Sequence, residues 1–430
     1  MKFAMSEYEK LVVDKNHKYA DFFRYDRRIG NLVNFSQNMR LPYHRWFYYK
    51  PGFSCNLVDF VMKRYFPQQS KIRMFDPFCG VGTVPLWAYE NGHVGIGSDV
   101  SPLAVFISEC KTIRDINAIE TVRWTKEVIE DLEKYKAIDL EHVPYYFKKG
   151  FDEKNLQKIL GILEKIGNIE DGSVRKIMLL ALMKAAYDVS LTKKDGGFLR
   201  YIEKPLYCSI EQRLRYHIND MLLDFDKPIH SYANQTKKTS CVLPRFYLMD
   251  ARNLTFDEAP FDLVVTSPPY MNRYDYTRIY AIEYGMLGHS DSDLKKLRKK
   301  TIKSHVEGNF EETPLMKSQI FDDAYKKLEK SKLTNIQIPE MVFGYYNDMT
   351  CSLRELKKFT RNESIVSFVV GNSRFSGIHF ETDAIIAEIA ENLGFKLKEI
   401  IVTKLRGSSA QQLHNYGDLQ LRESLVSFSK

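Results

Sequence analysis

Cysteine is scarce in this chain and scattered. The six in 430 residues (Cys55, Cys79, Cys110, Cys208, Cys241 and Cys351) never fall into a Cys-x-x-Cys spacing, which disfavours a disulfide framework and zinc, and predicts reduced thiols in a cytoplasmic protein. No metal is expected. Missing too are an apolar run long enough to span a bilayer, an internal repeat, a low-complexity tract and a flexible interdomain linker, and Met1 to Glu7 lack the character of a signal peptide. A membrane partner is therefore not expected. What is present is ample apolar material, 44% of the residues, in a chain longer than one core usually supports. One large domain with a substantial insert, or two domains, follows. The net charge of +8 fits an anionic partner, although many basic proteins bind no nucleic acid.

The most informative stretch is Phe261-Asp262-Leu263-Val264-Val265-Thr266-Ser267-Pro268-Pro269-Tyr270, where an apolar, β-branched run ends in a tetrapeptide that neither strand nor helix continues. A buried strand delivers a rigid loop to its carboxyl end. Two prolines fix the backbone and remove two N–H donors, leaving carbonyl oxygens outward, while Ser267 adds an acceptor and Tyr270 a flat aromatic face. Such a loop suits a planar ring that bears an amine; its plainer reading is a strand followed by a Pro-Pro turn.

Far upstream, Lys71 to Phe75 reads as a strand, Asp76-Pro77-Phe78-Cys79-Gly80-Val81-Gly82-Thr83 as a glycine-bearing turn, and Val84 to Asn91 as a helix. The glycines permit close approach of a ligand, and the helix N-terminus favours an anionic group. A further strand, Val94 to Gly97, leads to Asp99, 17 residues beyond Gly82. That is about where a nucleotide-binding βαβ unit places the carboxylate for ribose hydroxyls. Alone, Gly-x-Gly is as much a structural turn as a binding loop. The spacing, the acid and the Ser-Pro-Pro-Tyr loop support one another.

Together these residues resemble the S-adenosylmethionine-dependent DNA amino-methyltransferases, which methylate exocyclic amines of cytosine (N4) or adenine (N6), over roughly residues 42–105 and 245–430. The resemblance implies a Rossmann-like α/β methyltransferase fold with a mostly parallel seven-stranded sheet plus a helical insert, S-adenosylmethionine as cofactor and double-stranded DNA as partner. It implies cofactor contacts from Asp76, Pro77, Phe78, Cys79, Gly80, Gly82 and Thr83 in the glycine loop, from Asp99 and Val100 at the ribose, and from Asp250 and Ala251 at the adenine amine. Thr266 belongs to the same set, as does Ser54 in the segment Arg45 to Ser54, which is similar to the one that closes over the methionine end. The catalytic loop is then Ser267, Pro268, Pro269 and Tyr270. Ser rather than Asp before Pro-Pro leans towards cytosine N4 and a role as the modification arm of a restriction or similar defence system, with any cognate endonuclease acting separately. Adenine N6 methylation is the nearest alternative. An RNA guanine-N2 methyltransferase has a similar cofactor loop but usually carries Asp before Pro-Pro. From a different class, a non-catalytic nucleic-acid-binding subunit is disfavoured by the intact Ser267, Pro268, Tyr270, Gly80, Gly82 and Asp99.

The chemistry explains these residue types. An aromatic amine is a poor nucleophile because its lone pair is delocalised, so acceptors on both N–H groups, Ser267 Oγ and the Pro268 carbonyl, localise that pair without a strong base. Tyr270 is placed to stack on the base, and an aromatic face also stabilises a sulfonium. A base within a duplex must flip out to reach such a site.

Between the two motif groups the composition changes. Residues 116–136 and 153–166 show helical spacing, and Val174 to Ser190 is an apolar helix whose Met and aromatic stripe reads as core. The domain reading is 1–111 for the N-terminal segment and cofactor half, 112–243 for a helical insert that carries target recognition, and 244–430 for the catalytic half. Within the insert, Lys193 to Tyr201 mixes cations, glycines and aromatics; it reads equally as a solvated turn or as a loop whose Lys193, Lys194 and Arg200 grip DNA. Asn272, Arg273, Tyr274, Asp275 and Tyr276 are placed to line a base pocket, with Asn272 and Arg273 as DNA contacts. Residues 291–335 read as a cationic helix–loop–helix, either a solvated face or a phosphate contact. Gly407 to Tyr416 touches DNA or merely joins a hairpin, and His289 and His305 receive no role.

Overall fold

The computed structural model describes residues 14–49, 52–68, 71–130, 139–203, 205, 207–227, 242–255, 257–258, 260–272, 274–305, 316–333, 335–407, 410–417 and 419–430. Its centre is one sheet of eight strands: β1 (Phe23–Tyr25), β2 (Arg73–Asp76), β3 (Val94–Asp99), β4 (Arg245–Leu248), β5 (Phe261–Thr266), β6 (Thr360–Gly371), β7 (Lys396–Arg406) and β8 (Leu421–Ser429). They lie side by side in the order β1-β7-β8-β6-β5-β2-β3-β4. Only β8 runs antiparallel to its neighbours, while the other five pairings are parallel. This is the mostly parallel α/β sheet expected, with one strand more. The eighth is the three-residue β1, which pairs with Ile400 to Val402 at the sheet edge and is too short for any periodicity to announce it.

Because helices cover both faces, the central strands are apolar almost throughout: Leu263 to Val265 and Val366 to Val370 are buried without a break, and Ser367 alone among them is polar. In β3 the small residues serve packing. A Cβ on Gly95 would lie 2.4 Å from the Pro85 carbonyl oxygen, and one on Gly97 would lie 2.8 Å from Cys79. The helix Thr83–Glu90 therefore sits directly on the strand because these glycines have no side chains. After β3, Ser101 caps the next helix, Pro102–Lys111, accepting from the Ala104 N–H at 3.1 Å.

The insert forms the helices Ala118–Glu130, Tyr145–Lys149, Glu153–Gly167, Gly172–Val189 and Ile210–Phe225; residues 131–138, in the expected 116–136 helix, lie outside the described residues. Their core is continuous with Phe47, Leu103, Ile107 and the short helix Ala281–Met286. One reading needs correction. Lys193 to Tyr201 is neither a loop nor a solvated turn but a hairpin, Thr192–Asp195 against Phe198–Tyr201, closed by Gly196 and Gly197. Its alternation was masked by polarity: Thr192 and Leu199 are buried, whereas Lys193, Asp195, Phe198 and Arg200 are exposed. Residues 291–335 contain the expected helices, Asp291–Lys300 and Gln319–Glu329, and residues 306–315 between them lie outside the described residues. Ala410–Tyr416 is a short helix. Among the described residues no helix is long and apolar enough to cross a membrane, and the five described cysteines are free thiols.

Candidate active site

Strands β2, β3, β4 and β5 end on the same side of the sheet, and the loops that follow them surround one pocket. Its space is about 820 Å³, open mouth included. Pro77, Phe78 and Gly80 come from the loop after β2, Asp99 and Val100 from the end of β3, Asp250 and Ala251 from the segment after β4, and Ser267 and Pro269 from the loop after β5. Four separately read motifs thus meet at the carboxyl edge of a parallel sheet, where ligands of open α/β folds bind.

The carboxylates in and behind this pocket differ in how they are held. Asp99 accepts the Gly80 N–H on one oxygen and the Ser101 N–H on the other, both at 2.9 Å. Burial pushes its pKa up to about 6, against the pull of those hydrogen bonds. Gly80 makes the first of these bonds from a left-handed conformation, φ +50°, which glycine adopts without strain. Asp76 lies behind the lining. It accepts from the Phe78 N–H at 3.0 Å and from Thr266 Oγ1 at 2.6 Å, and burial raises its pKa to about 7. Asp76 and Thr266, both expected to touch the cofactor, are bonded to each other and so tie the end of β2 to the end of β5. Asp250 faces Arg252, whose guanidinium also reaches the buried Asp348 at 3.1 Å and the Lys300 carbonyl at 2.6 Å.

No family model matches the chain. It is similar to Type II methyltransferases. The Type II methyltransferase M.AvaI of Nostoc sp. (strain PCC 7120) is 28% identical over 448 residues, covering 93% of this chain and 89% of that protein. M.BsoBI of Geobacillus stearothermophilus is 27% identical over 98% of this chain and 92% of its own length, and M.MvaI of Kocuria varians is 23% identical over 74% of each. The first two likenesses run through the insert as well as the sheet.

With a methyltransferase in view, the remaining expected residues separate into those behind the pocket and those away from it. Cys79, Gly82 and Thr83 pack behind the glycine loop: Cys79 N–H donates to the Ser98 carbonyl at 2.9 Å, and a Cβ on Gly82 would meet Ser108 Oγ at 2.9 Å. Ser54 caps the helix Cys55–Tyr65 and donates to Gln37 Oε1 at 3.0 Å, outside the lining. Pro268 and Tyr270 are outside it as well. The buried Tyr270 donates to Glu423 Oε1 at 2.9 Å, and the Arg406 guanidinium stands 5.3 Å from its ring centroid. Glu423 is balanced in turn by Lys404 at 3.2 Å and Arg406 at 3.3 Å.

Of the expected DNA contacts, Lys193 and Arg200 are exposed and directly opposite each other across the hairpin. Lys194 is corrected: its ammonium turns inward onto Glu283 and over the Tyr280 ring at 4.1 Å, because the hairpin alternation sends it to the face opposite Lys193. Asn272 accepts from the Tyr274 N–H at 3.2 Å within its own turn, while Lys50, Pro51 and Arg273 lie outside the described residues. Tyr274, Asp275 and Tyr276 do line the pocket.

Sequence reasoning missed the other walls. Tyr49 stacks parallel to Tyr280 at 4.7 Å and to Tyr276 at 5.8 Å, so a tyrosine ladder backs the glycine loop. Lys300, Thr301, Ile302, Ser304 and His305 line it too; they belong to the cationic stretch read as solvated or phosphate-facing. The Tyr49 ladder had a signal in the aromatic-rich 45–54 segment. The 300–305 stretch had none.

Proposed function

We propose that the chain transfers a methyl group from S-adenosylmethionine to an exocyclic amine in double-stranded DNA, cytosine N4, as the modification enzyme of a restriction-modification system. One observation carries this reading: Ser267 and Pro269 share a single pocket with Gly80, Asp99 and Asp250. The similarity to Type II methyltransferases supports it.

The residues present fit the cofactor. Asp99 offers carboxylate lone pairs for two ribose hydroxyls, Gly80 lets the backbone come close, and Asp250 has further lone pairs for the adenine amine. When bound, S-adenosylmethionine supplies an electrophilic methyl on a sulfonium cation. Ser267 Oγ and the Pro268 carbonyl accept from the two N–H groups of the target amine, which localises its lone pair. The rigid loop holds the nitrogen in line, so the rate gain comes from alignment rather than from a strong base. A flipped base costs a few kcal/mol in unstacking and unpairing. Lys193 and Arg200 face each other across an exposed hairpin with the 62%-exposed Phe198 beside them, and although Arg200 is paired with Asp195 at 3.1 Å, the two cations offer a phosphate a place between them.

Mass spectrometry of nucleosides from DNA incubated with the protein and S-adenosylmethionine tests the reading. N4-methylcytosine is expected; N6-methyladenine would replace the base assignment, and unmodified DNA would refute the function.

A further inference from the structure

A second cavity borders the first. Its space is about 890 Å³ with its mouth, and Tyr274 lines both. The helices Gly172–Val189 and Ile210–Phe225, the inner face of the hairpin, and Arg45, Phe47 and Tyr48 form most of its walls.

The charges in these walls are matched, with one exception. Glu283 holds Lys194. Asp188 takes Arg213, and His217 at 2.7 Å, and Arg45 spans Asp220 and Asp224. Lys184 alone in this lining forms no ion pair or hydrogen bond among the described residues. Asp220, Asp188 and Asp224 attract it from a distance, but each is already engaged by another cation. The part-buried Lys184 ammonium is thus the one charged group of this lining not already paired among the described residues, and it is the group an arriving anion would meet. The aromatic lining narrows the ligand further. Tyr280 is covered on its faces by Tyr49 at 4.7 Å and Lys194 at 4.1 Å, whereas Tyr48 is 49% exposed and, with Tyr274, offers ring surface to the cavity. An anion joined to a flat ring describes a nucleotide. The methyl acceptor must lie against Ser267, which lines the other pocket and not this one, so the two occupants differ.

We propose that this second cavity binds a nucleotide unit that is not itself methylated, its phosphate on Lys184 and its base against Tyr48 or Tyr274. If the unit belongs to a DNA strand, the proposal rests on the function proposed above; a free nucleotide shares the same chemistry.

Equilibrium binding of a labelled single-stranded oligonucleotide, and of deoxycytidine 5′-monophosphate with deoxycytidine as the uncharged control, tests it on the full chain. Lys184→Met is expected to weaken oligonucleotide binding about fivefold to tenfold and to reduce the slope of log affinity against log salt by about 0.7. Lys184→Arg should retain binding. Tyr48→Ala, at a half-exposed position that tolerates change, should weaken both probes by about fivefold or more. Loss on the oligonucleotide assigns the cavity to a DNA strand, and loss on the mononucleotide alone assigns it to a free nucleotide. Unchanged binding and salt slope in folded Lys184→Met, with unchanged binding in Tyr48→Ala, overturns the proposal. Methylation by the unaltered protein is measured in parallel: its absence, with Lys184-dependent nucleotide binding intact, would refute the proposed function and leave this site standing.

Discussion

The wall and the roof of the pocket at the carboxyl edge of the sheet are built by different means. On the wall, Pro77 to Gly80, Asp99, Val100, Asp250 and Ala251 each lie within a few residues of a strand end, and main-chain hydrogen bonds such as Gly80 N–H to Asp99 fix them. The roof, Lys300 to His305, follows a surface helix and has no strand behind it. It is held by ions: Arg252 bonds to Asp250, to the buried Asp348 and to the Lys300 carbonyl, and the Lys303 N–H donates to Asp348 at 2.9 Å. Wall geometry is a property of the sheet. Roof geometry depends on Arg252 and Lys303 meeting at Asp348, and the loop after β5 combines both modes, with Thr266 tied at a strand end to Asp76 and Tyr270 tied by a charge to Glu423.

Breaking the roof gives the largest expected effect. Arg252→Ala strips the guanidinium from the buried Asp348, which keeps the Lys303 ammonium at 3.8 Å, and losing those charged hydrogen bonds together with the ones to Asp250 and the Lys300 carbonyl costs about 3 kcal/mol. Denaturant unfolding should show that loss, and steady-state kinetics should show KM for S-adenosylmethionine rising more than kcat falls, because Arg252 joins the roof to Asp250, the residue proposed for the adenine amine. Arg252→Lys, which keeps the charge without the fork, should recover part of both. An unchanged KM would mean that the roof stands without Arg252.

Next in size is the catalytic loop. Tyr270→Ala removes the expected base stack and frees Glu423, so single-turnover methylation should fall about 100-fold through misalignment, while DNA affinity, carried by phosphates, changes little. Near-normal turnover would return Ser267 to Tyr270 to an ordinary Pro-Pro turn.

The same contrast explains what was legible in the sequence. The wall could be read because its residues are local: a strand, a turn and an acid at fixed spacing need no knowledge of the rest of the chain. Strands β2, β3 and β5 followed from their own apolar or β-branched runs. The roof could not be read, since nothing in Lys300 to His305 advertises that Arg252, 48 residues earlier, and Asp348, 45 residues later than Lys303, converge on it. Lys194 failed for a related reason. One residue of register separates it from the exposed Lys193, and polar strands give little warning of which side faces in. Asp76 and Thr266 carried the expected chemistry but spend it on each other.

A wall carboxylate should give a smaller change than the roof. Asp99→Ala is expected to weaken S-adenosylmethionine by about 1.5–3 kcal/mol, the range for hydrogen bonds to a charged group, without loss of fold. Calorimetry that returned the original affinity would remove Asp99 from the ribose.

The smallest effect separates binding from stability at that same residue. Burial lifts the Asp99 pKa from an ordinary 3.8 to about 6 in the ligand-free fold. For the protein alone the sign is that of a raised carboxyl: the contribution to stability is fully present below about pH 4 and is lost as pH rises through about 6. Cofactor binding runs the other way, because ribose hydroxyls donate to the ionised form. Affinity should be level above pH 7 and should fall by up to about tenfold per pH unit as pH drops below 6. Asp76, near pH 7, titrates in the same interval but lies behind the lining, so Asp99→Asn isolates the effect: its affinity should be weaker at pH 7.5 and flat on acidification. Titration calorimetry of both proteins from pH 7.5 to pH 5 measures the difference. A wild-type profile as flat as that of Asp99→Asn would show that the carboxylate on the wall is not the group that holds the cofactor.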